Sequence, residues 1–344
     1  MPRKLRTSDF DYDYPRELIA QRPLPDRGES RLLILRRATG QMDHGSFADF
    51  VTLPDPGDVV VVNESRVIRA RLIGIRDNGR EAEVLLVHPE PDGTWLAMVH
   101  PGGKLKCGRT VRFGNHCIAE VVDVVGGGLR KVRFSGILSL DEMMQQFGKV
   151  PLPPYIEREP DAVDQDRYQT VYARTDGSVA APTAGLHFTP ETLSRLSERQ
   201  VAIVPIVLHV GPGTFKPVDK EDLTDHPMHA EWFTVSSDAV ATIKQAKESG
   251  RRVWAIGTTS ARVLETMADR NALQAMSGWT SLFIYPPYEF RLVDALLTNF
   301  HLPRSTLLML VSAFAGYELT MQGYHEAVRL RYRLYSYGDA MVVL

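Results

Sequence analysis

The chain has 344 residues, 44% of them hydrophobic and 24% charged, with 40 Lys and Arg against 42 Asp and Glu for a formal net charge of -2. That length exceeds one typical domain of about 100 to 150 residues, and the composition is that of an ordinary folded protein. It excludes a disordered chain, a disulfide scaffold, since only Cys107 and Cys117 are present, and an indiscriminate nucleic-acid binder, whose surface would be strongly basic.

The start, MPRKLRTSDFDYDYP, lacks the apolar segment of a secretory signal. Near the C-terminus the apolar run from Leu307 to Tyr317 is shorter than the roughly 18 residues of a membrane span. A cytoplasmic, soluble protein is expected, with no membrane association and both cysteines serving as packing residues.

Ser8 to Gln21 carries helical spacing. From residue 59 onward the texture changes. VVVV, VIRARLIGI, AEVLLVH, TWLAMVH, CIAEVVDVV and KVRF read as short strands, separated by turn residues such as Asp77-Asn78-Gly79 and Pro101-Gly102-Gly103. Strands without helices between them imply an antiparallel sheet, and many short ones imply a small barrel. Residues 59–150 carry 13 basic and 10 acidic side chains, a net +3 that leaves -5 for the rest; the difference is too small to assign RNA binding.

After residue 150 the pattern is again mixed. Thr189 to Gln200 reads as a helix and VAIVPIVLHV as a buried strand. ESGRRVWAIGTTSARVLETMADR reads as strand, tight loop and helix, and VDALLTNFHLPRSTLLMLVSAFAG as strand, polar loop and helix. The fold expected is α/β, with a discontinuous larger domain (1–58 and 151–344) interrupted by an inserted small antiparallel β-barrel domain (59–150).

Six stretches could carry chemistry. GSVAAPTAGLHFTPE strips the chain to small residues before presenting His187, which suits either a close backbone approach to a ligand or a tight crossing of core elements. In LHVGPGTFKPV a strand ending at His209 runs into glycines; this is a ligand cradle or a plain turn, and it fails the dinucleotide fingerprint. DHPMHAEWF places His226, His229 and Glu231 together. Metal spacing is poor there, and His229 with Glu231 reads better as a proton carrier and its orienter, so no metal is expected. GTTSARVLE delivers Thr258, Thr259 and Ser260 to a helix start with Arg262 nearby, which is either an anion site or simple capping. DALLTNFHLPRST sets Asp294, Asn299 and His301 between apolar segments, as a site or a saturated hydrogen-bond network. RLRYRLYSYGDAM interleaves Arg329, Arg331 and Arg333 with Tyr332, Tyr335 and Tyr337, a pattern for holding phosphates and stacking bases, or a solvated helix face.

Taken together, SVAAPTAGLHFT, LHVGPGTFKPV, MHAE, GTTSARVLE, VDALLTNFHLPRSTLLMLVSAFAG and YSYGDAM, with AQRPLPDRGESRLL and VPLPPYIER, resemble the S-adenosylmethionine:tRNA ribosyltransferase-isomerases of queuosine biosynthesis, nearly end to end. Departures from the family pattern are Glu64, Ser65 and Arg69 in VVNESRVIRARL and Pro287 in IYPPYEF. The resemblance implies a substrate tRNA with a GUN anticodon carrying 7-aminomethyl-7-deazaguanine at the wobble position. It further implies transfer and isomerisation of the ribosyl part of S-adenosylmethionine onto that aminomethyl nitrogen, giving epoxyqueuosine-tRNA, adenine and methionine. S-adenosylmethionine is then a consumed cosubstrate, no prosthetic group is needed, and a monomer is expected. His187, His209, His229 and Glu231 are the candidates for proton transfer. Thr258, Thr259, Ser260 and Arg262 are candidates for holding a carboxylate or phosphate, and Asp294 and Asn299 for reading a purine edge. Two other classes remain open at this point: a non-catalytic tRNA-binding protein and a metal-dependent hydrolase using His226, His229 and Glu231.

Overall fold

The structure is a computed structural model that describes residues 4–115, 117–126, 128–215, 217–270 and 273–344. In chain order, after short 3-10 turns at Thr7–Phe10 and Arg16–Leu18, come β1 (Arg31–Leu35), β2 (Met42–Ser46), β3 (Val59–Asn63) and β4 (Ser65–Val67). A run of strands follows: β5 (Arg71–Arg76), β6 (Glu81–Pro89), β7 (Trp95–His100), β8 (Thr110–Phe113), β9 (Cys117–Gly126) and β10 (Leu129–Gly136), then helix α1 (Leu140–Phe147) and β11 (Gly148–Lys149). Beyond it lie α2 (Ala162–Arg167), β12 (Thr175–Ser178), α3 (Pro190–Glu198), β13 (Ala202–Leu208), β14 (Glu231–Val235), α4 (Ser237–Glu248), β15 (Val253–Ile256) and α5 (Gly257–Asp269). The chain closes with β16 (Met276–Thr280), β17 (Ala295–Asn299), α6 (Thr306–Ala315), α7 (Tyr317–Arg329) and β18 (Ala340–Val343).

Nine strands form one mixed sheet in the order β16-β14-β13-β3-β15-β17-β18-β1-β2. Its centre, β13, β3, β15 and β17, is parallel. Apolar side chains leave both faces. Val59, Val61 and Ala255 pack with Ile243 of α4, Leu264 of α5 and Val311 of α6, while Val60, Val62 and Trp254 pack with Phe50 and with Leu196 of α3.

The four valines from Val59 to Val62, expected as the first strand of the inserted block, therefore sit in the middle of the large sheet. A strand covered on both faces carries an uninterrupted apolar run, whereas one covered on a single face alternates. RLIGIR in β5 shows the second pattern, VVVVN the first.

The second sheet has seven strands in the order β11-β5-β6-β7-β10-β9-β8, and β5 also pairs with β8 through Ile75↔Arg112 and Arg76↔Val111. Gly74 permits that approach, since a Cβ there would lie 2.6 Å from the Arg112 carbonyl oxygen. Leu72, Val84, Ala97, Phe113, Cys117 and Val132 form one apolar core against it. The separate two-stranded sheet of β4 and β12 is parallel and does not close into a barrel.

Three local expectations change. Ser8 to Gln21 is not a helix but two 3-10 turns separated by Pro15; its apolar spacing reflects burial of Phe10, Tyr12 and Leu18. Cys107 is exposed, and only Cys117 is a packing residue. β15 passes into α5 with no loop between them. Among the described residues no helix is long and apolar enough to cross a membrane.

Candidate active site

The parallel strands bring Asn63, Leu208, Ile256 and Asn299 to one end of the sheet, where their carboxyl termini lie side by side. At that end a cleft of about 600 Å³ is walled by His88 and Met98 of the seven-stranded sheet, by Glu231 and Trp279 of the large one, by His229 just before β14 and by Arg262 of α5. The turn Pro212–Phe215 divides this cleft from a small cavity of about 50 Å³ and from a second chamber of about 660 Å³. Thr214 and Leu307 line both cleft and cavity, and Phe215 lines both cavity and chamber.

Glu231 opens β14 and is nearly out of water, as is Arg262 on α5. Arg262 donates from Nη1 to Glu231 Oε2, from Nε to the Leu282 carbonyl at 3.1 Å and from Nη2 to the Thr280 carbonyl at 3.4 Å. The other carboxylate oxygen accepts the Gly211 N–H at 2.9 Å. Arg262 is thus committed to the protein and is not a free anion receptor. Nor is Glu231 available to a metal, because its two oxygens hold Arg262 and the turn after β13. Among the described residues no group of three or more His, Cys, Asp or Glu is placed to hold a metal ion.

The glycines of the motif stretches make room for histidines. A Cβ on Gly177, where φ is +139°, would lie 2.7 Å from the His209 ring, and one on Gly213 would lie 2.7 Å from His229 Cδ2. His209 stacks on Trp232 with ring centroids 5.2 Å apart and planes 18° apart. Burial lowers its basicity, with Asp176 opposing, so the ring is neutral at neutral pH; its Nδ1 is buried with no partner. A neutral imidazole with an unused nitrogen is equipped to take a proton. His229 stands exposed at the cleft. His226 also lines the cleft, edge-on to Phe283 at 5.3 Å.

His187 is placed differently. It is 3% exposed, lies 5.2 Å from the Phe47 ring, and has both nitrogens engaged: Nδ1 with Ser30 Oγ at 3.0 Å and Nε2 with Asn299 Nδ2 at 3.1 Å. Burial, aided by Arg27 and Arg333, lowers its pKa to about 3. A ring with no free lone pair, outside the cleft, is no general base as it stands. The small residues before it serve His209 and the cavity wall instead, since Gly177 faces His209 and Ala181, Pro182 and Ala184 line the cavity.

Thr258, Thr259 and Asn299 line that cavity with the first turn of α5. Ser260 turns its hydroxyl onto the Ile256 carbonyl at 2.9 Å. Asp294 stands apart from Asn299. It precedes β17, so the strand rise separates the two by roughly 16 Å, and its carboxylate is held by Lys247 at 2.9 and 3.0 Å and by the Val253 N–H at 2.8 Å. One purine cannot meet both. His301, also in the cavity wall, accepts or donates at Nε2 with Thr298 Oγ1 at 2.7 Å, and burial lowers its pKa to about 3.

The C-terminal Arg and Tyr pattern is not a base-stacking surface. Tyr332, Tyr335 and Tyr337 are 2 to 4% exposed, Arg329 pairs with Glu326, Arg331 with Glu17, and Arg333 donates to the Arg22 carbonyl. Residues that the sequence reading missed include His88 and Trp279, whose rings meet edge-on at 5.1 Å across the two sheets, and Ser30, the partner of His187. An exposed tryptophan in SGWTS was the one available signal, and nothing in sequence paired it with His88.

A cleft outside the carboxyl ends of parallel strands is where open α/β proteins hold small-molecule substrates, so fold and site define a substrate-binding α/β protein of the enzyme class. The chain belongs to the queuosine biosynthesis protein family, whose model matches residues 7–343. It is 48% identical over 343 residues to the S-adenosylmethionine:tRNA ribosyltransferase-isomerase of Halothermothrix orenii, covering 99% of this chain and 100% of that one. Against the enzyme of the same name from Symbiobacterium thermophilum it is 49% identical over 345 residues, with 99% and 100% covered. The crystal structure of S-adenosylmethionine tRNA ribosyltransferase from Thermotoga maritima aligns with 98% of this chain and 100% of its own at 37% identity and a TM-score of 0.58.

Proposed function

We propose that this protein is an S-adenosylmethionine:tRNA ribosyltransferase-isomerase. It consumes S-adenosylmethionine as cosubstrate and places the isomerised ribosyl group on 7-aminomethyl-7-deazaguanine at the wobble position of a GUN-anticodon tRNA, releasing adenine and methionine and leaving epoxyqueuosine. The observation that carries this reading is likeness along the whole chain to relatives of that name; the motifs LHVGPGTFKPV and MHAE and Arg262 of GTTSARVLE meet at the cleft.

The chemistry asks for a base and an acid. The sulfonium acidifies the ribose 5′ hydrogen; removal of that proton starts loss of adenine and opens the ring to the aminomethyl nitrogen. His209, neutral and with Nδ1 unused, stands behind Val210 of the cavity wall and Gly211 of the cleft wall and fits the base once substrate opens that wall, and His229 at the open cleft fits the acid for departing adenine. Glu231 with Arg262 holds the Gly211 turn between them. His187 is left out of the proton transfers because both its nitrogens are engaged, and Asp294 is left out of purine reading because of its distance from Asn299.

The seven-stranded sheet is read as a small barrel-like inserted domain of about residues 68–150, supported by the β5–β8 pairing, which brings the two ends of the strand series together. The remainder, including Val59–Asn63, is the larger α/β domain. A cytoplasmic monomer is the expected working form, and a sedimenting species of twice the 38.5 kDa chain mass would reject the monomer.

Incubation with S-adenosylmethionine and tRNA carrying 7-aminomethyl-7-deazaguanine tests the reaction. Adenine release together with the epoxyqueuosine mass in digested nucleosides is the expected result, and tRNA binding without either product would instead mean a non-catalytic binder. Within a working enzyme, His209→Ala and His229→Ala should each lower turnover by roughly 10² to 10⁴; near-native turnover in both rejects the residue assignment.

A further inference from the structure

Helix α5 begins without a cap. The residue before it is Ile256, which has no polar side chain, no side-chain cap bond is made, and the Ser260 hydroxyl is spent on the Ile256 carbonyl. The first N–H groups of a 13-residue helix therefore border the small cavity at Gly257, Thr258 and Thr259, where the helix dipole favours negative charge.

A second observation on the opposite wall is independent of the helix. Asn299 is 1% exposed and its Oδ1 has no hydrogen-bond partner. Both hydrogens of its Nδ2 are used, one on His187 Nε2 at 3.1 Å and one on the Tyr335 carbonyl at 3.3 Å. A carbonyl only accepts, so the amide cannot be flipped without leaving two acceptors face to face. The orphan oxygen is thus held away from His187 and Tyr335 in a residue that lines the cavity, and Thr259 Oγ1, also buried without a partner, lines it too.

The cavity offers donors on one side and an unsatisfied acceptor on the other. Among its described lining residues there is no Asp, Glu, Lys or Arg. An RNA phosphodiester supplies acceptors only, would leave Asn299 Oδ1 unsatisfied, and would bring a charge to a lining that holds no charged side chain to compensate it. A zwitterion carries its own counter-charge, accepts at one end and donates at the other.

We propose, resting on the ribosyl-transfer reading, that this cavity binds the α-amino-carboxylate end of S-adenosylmethionine, its carboxylate on the first-turn N–H groups of α5 and its ammonium donating to Asn299 Oδ1. His187 is then a positioning residue. Because Asn299 donates to Nε2, the imidazole carries its proton on Nδ1 and gives it to Ser30, and this ordered chain keeps the Asn299 carbonyl oxygen toward the ligand. The ribose and adenine extend past Thr214 and Leu307, which the cavity shares with the cleft containing His229.

The test compares three ligands on the full chain: S-adenosylmethionine, its decarboxylated form, and 5′-methylthioadenosine, which lacks the whole amino-acid end. Asn299→Ala should weaken S-adenosylmethionine roughly 10- to 100-fold, the range for a hydrogen bond to a charged group, and leave 5′-methylthioadenosine unchanged. Wild type should prefer S-adenosylmethionine to the decarboxylated form by a similar factor. His187→Leu should raise KM for S-adenosylmethionine with kcat kept within a few fold, and His187→Gln, whose side-chain oxygen can accept from Asn299, should restore it. Thr259→Val, which removes the unpartnered hydroxyl that the carboxylate also meets at the first turn of α5 and leaves the His187 chain untouched, serves as a second probe if Asn299→Ala does not fold; it should weaken S-adenosylmethionine selectively.

Equal affinity for the three ligands in an enzyme that still releases adenine overturns the cavity assignment alone. So does a set of variants that raises KM for tRNA and not for S-adenosylmethionine, which would mean an RNA phosphate. Wild-type protein that neither binds S-adenosylmethionine nor releases adenine overturns the ribosyl-transfer reading, and the cavity assignment with it.

Discussion

Glu231 and Arg262 form an ion pair with side-chain exposures of only 8% and 5%, and between them they tie β14, α5 and the turn at Gly211 together. Removing one partner leaves the other charged and buried. Glu231→Ala or Arg262→Ala should each lower unfolding stability by about 3 to 5 kcal/mol, while the double change Glu231→Ala with Arg262→Ala should cost clearly less than the sum. Urea unfolding of the four proteins measures the cycle, and single variants within about 1 kcal/mol of wild type would show the pair to be better solvated than its burial indicates.

Gly177 and Gly213 should respond to a methyl group in different ways. At Gly177 alanine combines a positive φ with a clash on the His209 ring, so Gly177→Ala should cost about 1 to 2 kcal/mol and also turnover. At Gly213 the obstructed group is the exposed His229, which can move aside. Gly213→Ala should therefore keep stability within about 1 kcal/mol yet lower turnover by roughly 10²-fold, the usual effect of misplacing a catalytic group by an ångström. Melting curves and adenine release separate the two, and an unchanged rate for both substitutions would show that neither ring position matters.

Acid should destabilise the protein through its neutral buried histidines. His187 and His301 are each lowered to about 3 by burial, against about 6.5 in an unfolded chain. Between those values the unfolded state binds the proton and the native state does not. Their contribution is thus complete above about pH 6.5 and is lost as pH falls toward 3, with a slope of up to about 1.4 kcal/mol per pH unit for each. Urea midpoints measured from pH 7 to pH 4 should show this slope, and His301→Gln should remove part of it; an identical slope in the variant would mean that His301 is protonated in the folded protein.

Asp294→Asn should be a stability variant only. Its pair with Lys247 is about one-third exposed, which limits the loss to about 1 kcal/mol, and the strand rise keeps it from the cavity at Asn299. KM for S-adenosylmethionine should be unchanged. A rise comparable to that of an Asn299 variant would place ligand at the other end of β17.

The motif stretches, the strands at VAIVPIVLHV and VDALLTNF, the helix beginning at GTTS and the antiparallel series after residue 70 were legible in the amino-acid sequence, because each rests on spacing along a few residues of one chain segment. Tertiary structure alone decided which segments meet. Gly177 clears space for His209 and not for the histidine in its own stretch; Arg262 is spent on Glu231; the three C-terminal tyrosines point inward. Asp294 and Asn299 look equivalent in a polar loop but stand at opposite ends of one strand. The four valines of β3 could be assigned to either sheet until the parallel order β13-β3-β15-β17 covered both their faces. The physical reason is range: helix and strand periods repeat over a few residues, whereas a hydrogen-bond partner or a clash is set by the order in which distant strands lie side by side.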